Sequence, residues 1–204
     1  MPESIYTIGH SNRSITEFLE IISHYGISAV ADVRSSPYSK VFPQFNRTVL
    51  HEALEGRGVS YVFLGVELGG RTNDLTCYDS GKLNYVKLGN SCLFQAGLSR
   101  IRAGMAKYRI AMLCSEKDPL LCHRALLIAR QLEAQGTKVE HILEVNVAEE
   151  HSKSVGRLLR LLQLETTHLF KTPEDVVDMA YGLQADKIAY ELEQDNSLLR
   201  ALPL

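Results

Sequence analysis

The stretch Arg109 to Arg124, RIAMLCSEKDPLLCHR, decides how the chain is read. Its first half, Arg109 to Ser115, is a short apolar run with the length and composition of a buried strand. A polar loop follows, and Asp118 with Pro119 then gives an N-cap and a first helical position. The helix they open is expected to close at Gly136. Strand, polar loop and helix in that order make half of a parallel β-α-β unit.

Working outward, the same alternation recurs. Strands are expected at Ser4 to Gly9, Ile27 to Val33, Val59 to Gly65 and Lys138 to Val145, making five with Arg109 to Ser115. Ser14 and Glu17 have the spacing of a capping box for a first helix, with Phe18, Leu19 and Ile22 as its apolar stripe and Gly26 as its stop. A second helix is expected from Asn46 to Gly56, with Val49, Leu50, Ala53 and Leu54 turned inward, and another from about Ser91 to Lys107. The glycine-rich segment from Gly65 to Asn90 lacks any period and reads as a long loop. From Val147 onward only helix-like segments are expected, one of them opening at Thr172, Pro173 and Glu174. The fold predicted is therefore α/β: a mainly parallel five-stranded sheet with helices on both faces over residues 1–146, and a helical extension over 147–204. Leu158, Leu159, Leu161 and Leu162 of that extension are expected to pack on the sheet domain or on a partner subunit, as in a homodimer.

A chain of 204 residues can bury a core without a disulfide or metal staple. Its net charge of -2 argues against a protein that coats nucleic acid electrostatically, while leaving room for a local basic patch. The first residues run straight into a strand-like segment, and four cysteines in such a chain point to a reducing, cytoplasmic setting. No stretch approaches a membrane span.

In an open parallel sheet, ligands bind beyond the carboxyl ends of the strands. Those ends carry His10 and Ser11, then Asp32 and Arg34, then Glu67, Gly69, Gly70 and Arg71, then Cys114, Ser115 and Glu116. Cys122, His123 and Arg124 follow on the expected helix, whose N-terminus would offer unpaired N–H groups to an anion. Arg34, Arg71 and Arg124 have the chemistry to hold a phosphate or carboxylate.

Four strings, TIGHS at Thr7 to Ser11, DVRSSPYS at Asp32 to Ser39, LGVELGGR at Leu64 to Arg71 and LCSEKDPLLCHR at Leu113 to Arg124, resemble the bacterial and archaeal domain of unknown function 488 family. The resemblance runs from about Ile5 to Val145. It implies a cytosolic α/β domain with these motifs at its site, and it brings no agreed activity with it.

Each of these residues also has a structural reading. Asp32 and Arg34 are either an acid or base beside an anion clamp or an ion pair that fixes the next loop. Glu116 is a general acid or base, or a loop carboxylate. His10 and His123 line the pocket or satisfy backbone groups. Cys122 is a nucleophile of lowered pKa or a small buried hydrophobe. The order of cysteine and loop is similar to that of rhodaneses, but the six-residue catalytic loop closing on arginine is absent. Zinc binding by Cys114, Cys122, His123 and His10 is disfavoured, because adjacent side chains on a helix diverge by about 100°. Tyr38, Phe42 and Phe45 either stack on a base or form a lid on the core. The glycines of LGVELGGR either admit a phosphate or make a turn.

The expected function is hydrolysis or group transfer on a phosphorylated, nucleotide-like or nucleic-acid substrate, without metal or cofactor. Arg34, Arg71 and Arg124 would hold the anion, Glu116 or Asp32 would move a proton, and His10 would orient substrate or water, with Ser11, Cys122 and His123 as further contacts. The alternatives are a non-catalytic anion- or nucleotide-binding module, and a thiol-dependent transferase using Cys122.

Overall fold

The computed structural model describes residues 4–164 and 171–192; the parts of the expected extension at 165–170 and 193–204 lie outside them. In chain order the elements are β1 (Ser4–Gly9), α1 (Ile15–His24), β2 (Ala29–Asp32), α2 (Arg47–Glu55), β3 (Ser60–Phe63), α3 (Gly65–Leu68), β4 (Tyr78–Asp79), β5 (Lys82–Leu83), α4 (Tyr85–Asn90), α5 (Cys92–Met105) and β6 (Ile110–Cys114). After a 3-10 turn at Pro119–Leu121 and a π-helical segment at Arg124–Ala129 come α6 (Arg130–Ala134), β7 (Lys138–Glu144), β8 (Val147–Glu150), α7 (His151–Leu161) and α8 (Pro173–Ile188).

The main sheet has six strands in the order β3-β2-β6-β1-β7-β8. All neighbours pair in parallel except β7 and β8. The fold is thus mixed α/β around a mostly parallel sheet, and it corrects the expectation of five strands. The sixth, Val147–Glu150, falls where only helix was expected. It is a four-residue edge strand folded back on β7, and most of its side chains are exposed, so it lacks the apolar run that marks the others.

Alternation along the strands sorts the core. Ile110, Met112 and Cys114 of β6 join one cluster with Phe94 and Leu98 of α5, while Ala111 and Leu113 join another with Phe18 and Ile22 of α1 and Leu50 and Leu54 of α2. The capping box at Ser14 and Glu17 is formed in full. Val49, expected to turn inward, is exposed. Asn46 precedes α2 without capping it; its carboxamide oxygen instead accepts from the Ser39 amide at 2.7 Å.

The expected long loop from Gly65 to Asn90 is built from α3, the β4-β5 hairpin and α4. Each is two to six residues long, too short for any period to register in the sequence. α8 is capped by Thr172, which forms a full capping box with Asp175. With Leu158 of α7, its Ala180 and Tyr181 pack against Leu120 and Leu126 next to the β6 loop; Leu161 is exposed. Beyond α8 the chain returns to the hairpin, where Tyr190 O accepts from Leu83 N at 2.9 Å. Among the described residues no helix is long and apolar enough to cross a membrane.

Candidate active site

β2, β6 and β1 lie side by side and parallel, so their carboxyl ends bring the loops after Asp32, Cys114 and Gly9 together. The β6 loop is seated tightly. A Cβ at Gly9 would lie 1.7 Å from the Glu116 carbonyl oxygen, so only glycine lets β1 pass there. Ser11, held at φ 51°, donates its amide to Ser115 O at 2.8 Å.

A cavity of about 420 Å³ opens above these ends. Its wall comes from several separate segments: Arg34, Ser35 and Tyr38 after β2; Gly70 and Arg71 after α3; Cys114, Ser115 and Glu116 after β6; Cys122 and His123; and, from the last described segment, Ile188 and Tyr190. Of the residues singled out from sequence, Arg34, Arg71, Glu116, Cys122 and His123 share this space. His10, Ser11, Asp32 and Arg124 do not line it.

Asp32, Arg124 and His10 are buried behind the wall, and Ser11 is half-exposed outside it. Asp32 is fully buried, and both its oxygens are engaged, accepting from Arg34 Nε at 2.9 Å, Arg34 Nη2 at 2.6 Å and Tyr61 Oη at 2.7 Å. Arg34 also donates to Phe45 O at 2.9 Å, so the side of its guanidinium that faces the cavity belongs to a group already paired. Arg124, also fully buried, donates to Glu116 O at 2.7 Å, Lys117 O at 2.9 Å and Thr7 Oγ1 at 3.3 Å. It shapes the loop that presents Glu116. His10 stacks on Phe45 at 4.3 Å and bonds Ser11 O through Nδ1 at 2.9 Å; burial holds its pKa down at about 4, so the ring is neutral.

The aromatic loop divides. Phe45 is fully buried and Phe42 leans edge-on against His10, both as parts of the core, whereas Tyr38 is exposed at the cavity mouth. Arg71 is exposed, stacked over the Tyr190 ring at 4.3 Å, and makes no ion pair among the described residues. Glu67 instead pairs with Arg100 of α5, away from this cavity. Tyr190 and Tyr85, which also line it, were not anticipated; no local motif marks either one, and only the return of the chain to the hairpin brings Tyr190 there.

The segment around Cys122 departs from the expected helix. Asp118 caps, accepting from Leu120 N at 3.0 Å, but only a single 3-10 turn follows. Cys122 is extended, with φ −142° and ψ 141°, and helical geometry resumes at His123. Two consequences correct the sequence reading. The amides of Leu121, Cys122, Arg124 and Ala125 are bonded within the segment, so the run of unpaired N–H groups expected at a helix start is largely taken up. The Cys122 and His123 side chains also converge instead of diverging by a helical step, which removes the geometric objection to a shared ligand. Cys122 Sγ and Cys114 Sγ lie 3.7 and 3.9 Å from His123 Nδ1.

Burial opposes ionisation of Cys122, yet the hydrogen bond from the Cys114 thiol, the Arg124 charge and His123 bring its pKa well below the ordinary thiol range. The same contact and burial push Cys114 well up. Burial works against protonation of His123, but the Cys122 thiolate outweighs it and raises that ring. The protein wall and the neighbouring thiolate raise Glu116, an effect tempered by the solvent its carboxyl still meets.

No curated protein and no solved structure matches the chain at a significant level. A family model described as "Domain of unknown function DUF488" matches residues 14–131, more than half of the chain. The match holds the DVRSSPYS, LGVELGGR and LCSEKDPLLCHR strings, while TIGHS precedes it. The chain therefore belongs to the family of the domain of unknown function DUF488.

Proposed function

We propose that this protein is an enzyme that hydrolyses, or transfers a group from, an anionic substrate carrying a phosphate, of nucleotide or nucleic-acid type. One observation carries the reading: Arg71, with no carboxylate partner among the described residues, faces the same cavity as Glu116, Ser115 and Cys122. An exposed guanidinium beside a carboxylate and hydroxyls suits an anion that must be held while a proton moves. Arg71 binds the anion; Arg34, anchored by Asp32, lends positive potential from the wall; Glu116 is the acid or base. Tyr38 at the mouth provides a face on which a base can stack.

The experiment pairs binding with turnover. The chain is incubated with nucleoside mono-, di- and triphosphates, sugar phosphates and short oligonucleotides, and products are separated by chromatography. For whichever compound is consumed, Glu116→Gln should retain affinity by calorimetry and lose turnover by about 10²-fold or more. Unchanged turnover removes Glu116 from the chemistry, and saturable binding without product from any compound favours a binding module.

A second reading, thiol-dependent transfer at Cys122, is favoured by the pairing of that sulfur with His123 Nδ1 at the base of the cavity. It predicts that iodoacetamide modifies Cys122 faster than an ordinary thiol at neutral pH; slow modification would eliminate it.

A further inference from the structure

At the base of the cavity three donor atoms that metals prefer face one another. Cys114 Sγ, Cys122 Sγ and His123 Nδ1 all lie within 4.8 Å of each other. The two sulfur-to-nitrogen distances are 3.9 and 3.7 Å. A tetrahedral ion with its usual bonds to sulfur and nitrogen would set that spacing at about 3.6 Å, so the two sulfur-to-nitrogen distances are already close to those of a coordinated ion.

The surroundings of the ring match what a metal ligand requires. His123 Nε2 lies 3.1 Å from Val33 O, and a carbonyl only accepts, so Nε2 carries its proton and Nδ1 is the atom left to face the sulfurs. A Cβ on Gly70 would come within 3.0 Å of the ring at Cγ and Nδ1, so the Gly70 backbone packs closely against the His123 ring. The Arg124 amide donates to Cys122 Sγ at 3.4 Å, as a backbone group does toward a thiolate ligand. Both sulfurs and the ring are nearly sequestered from solvent, but all three line the cavity, so one side of the cluster opens toward Glu116 and Arg71.

We propose that Cys114, Cys122 and His123 bind one thiophilic divalent cation of the zinc type, with the fourth position open to the cavity. Two sulfurs and one imidazole select soft or borderline ions over magnesium or calcium. Three protein ligands with an open position are the arrangement of a catalytic and not a structural zinc site. Two thiolates neutralise the cation, so the site adds no net charge to a pocket already carrying arginine. The fourth position rests on the pocket reading given above; the three protein ligands stand independently of it.

Cobalt(II) titration of the dialysed full-length chain tests this without any substrate. The expected result is saturation at one equivalent, with thiolate-to-cobalt charge-transfer bands and the intense visible bands of a tetrahedral ion, both displaced by zinc. Cys114→Ser and Cys122→Ser should each lower the charge-transfer intensity by about half, one of two thiolates being lost. Cys92→Ser, at an exposed cysteine outside the cluster, should leave it unchanged. Should the serine variants fail to fold, the wild type still decides: zinc should shield Cys114 and Cys122, but not Cys92, from alkylation mapped by mass spectrometry. A folded wild type without charge-transfer bands, or one whose Cys122 alkylates equally fast with and without zinc, overturns the metal site. If inorganic phosphate or a nucleotide shifts the visible bands, the fourth position is open as proposed. Intact bands that none of these anions perturbs would uphold the three ligands and count against the anion reading instead.

Discussion

Asp32 is fully buried beneath the cavity and braces Arg34 of its wall without lining it. It was read from sequence as either an acid–base group or the anchor of an ion pair, and its oxygens are fully taken by Arg34 and Tyr61. Removing it would leave the Arg34 guanidinium, itself almost wholly buried, without a counter-charge. Asp32→Ala is therefore expected to cost about 3–5 kcal/mol of stability, measured by urea unfolding. A loss below about 1 kcal/mol would mean that Arg34 finds solvent, and that the pair does not anchor the β2 loop. Sequence spacing could place Asp32 and Arg34 at a strand end, but it could not say which of the two would face the cavity. That depends on Tyr61, 29 residues away on the neighbouring strand.

At the scale of elements, α8 is tied to the sheet through a buried polar chain. Tyr181 Oη lies 2.8 Å from His151 Nε2, His151 Nδ1 2.9 Å from His141 Nε2, and His141 Nδ1 2.7 Å from Thr7 Oγ1, which in turn accepts from Arg124. The chain of bonds leads from α8 to the arginine that shapes the Glu116 loop. Burial lowers His151 to about 4, with the Glu149 charge opposing, and burial assisted by the His151, Arg124 and Arg157 charges holds His141 well below its ordinary value. His10 is lowered to about 4 as well. The unfolded chain, whose histidines titrate near their ordinary value of 6.5, binds more protons than the fold between that value and about 4. Stability contributed by these neutral rings is complete above about pH 6.5 and is lost as pH falls toward 4. Urea unfolding at pH 5 should show a loss of about 1–2 kcal/mol for each of His10 and His151 relative to pH 8; unchanged stability across that window would show that the rings charge freely. Elements such as β1, α1 and α5 were legible because their caps and apolar faces are local. The extended break at Cys122 was not, since Pro119 to Arg124 carries nothing that forbids a continuous helix.

For the whole molecule, the rule that ligands gather at the carboxyl ends of parallel strands points to the end of the sheet above which the cavity opens. It does not separate residues that line the wall from those that brace it, because Arg34 and Glu116 of the wall and His10 and Asp32 behind it alike sit within two positions of a strand end. Nor could it show the contribution of Tyr190, which reaches the cavity only because the chain returns from α8 to the β4-β5 hairpin. The central claim is that this cavity binds a phosphorylated anion through Arg71. Its most direct test is the melting temperature of the wild type and of Arg71→Met with inorganic phosphate, pyrophosphate, nucleotides, sugar phosphates and short oligonucleotides. A ligand at about a hundred times its Kd should stabilise the wild type by about 2.7 kcal/mol, a rise of about 5–10 °C for a chain of this size. The account predicts such a rise for at least one of these anions and its loss in Arg71→Met; no rise with any of them, or an equal rise in the variant, would contradict it.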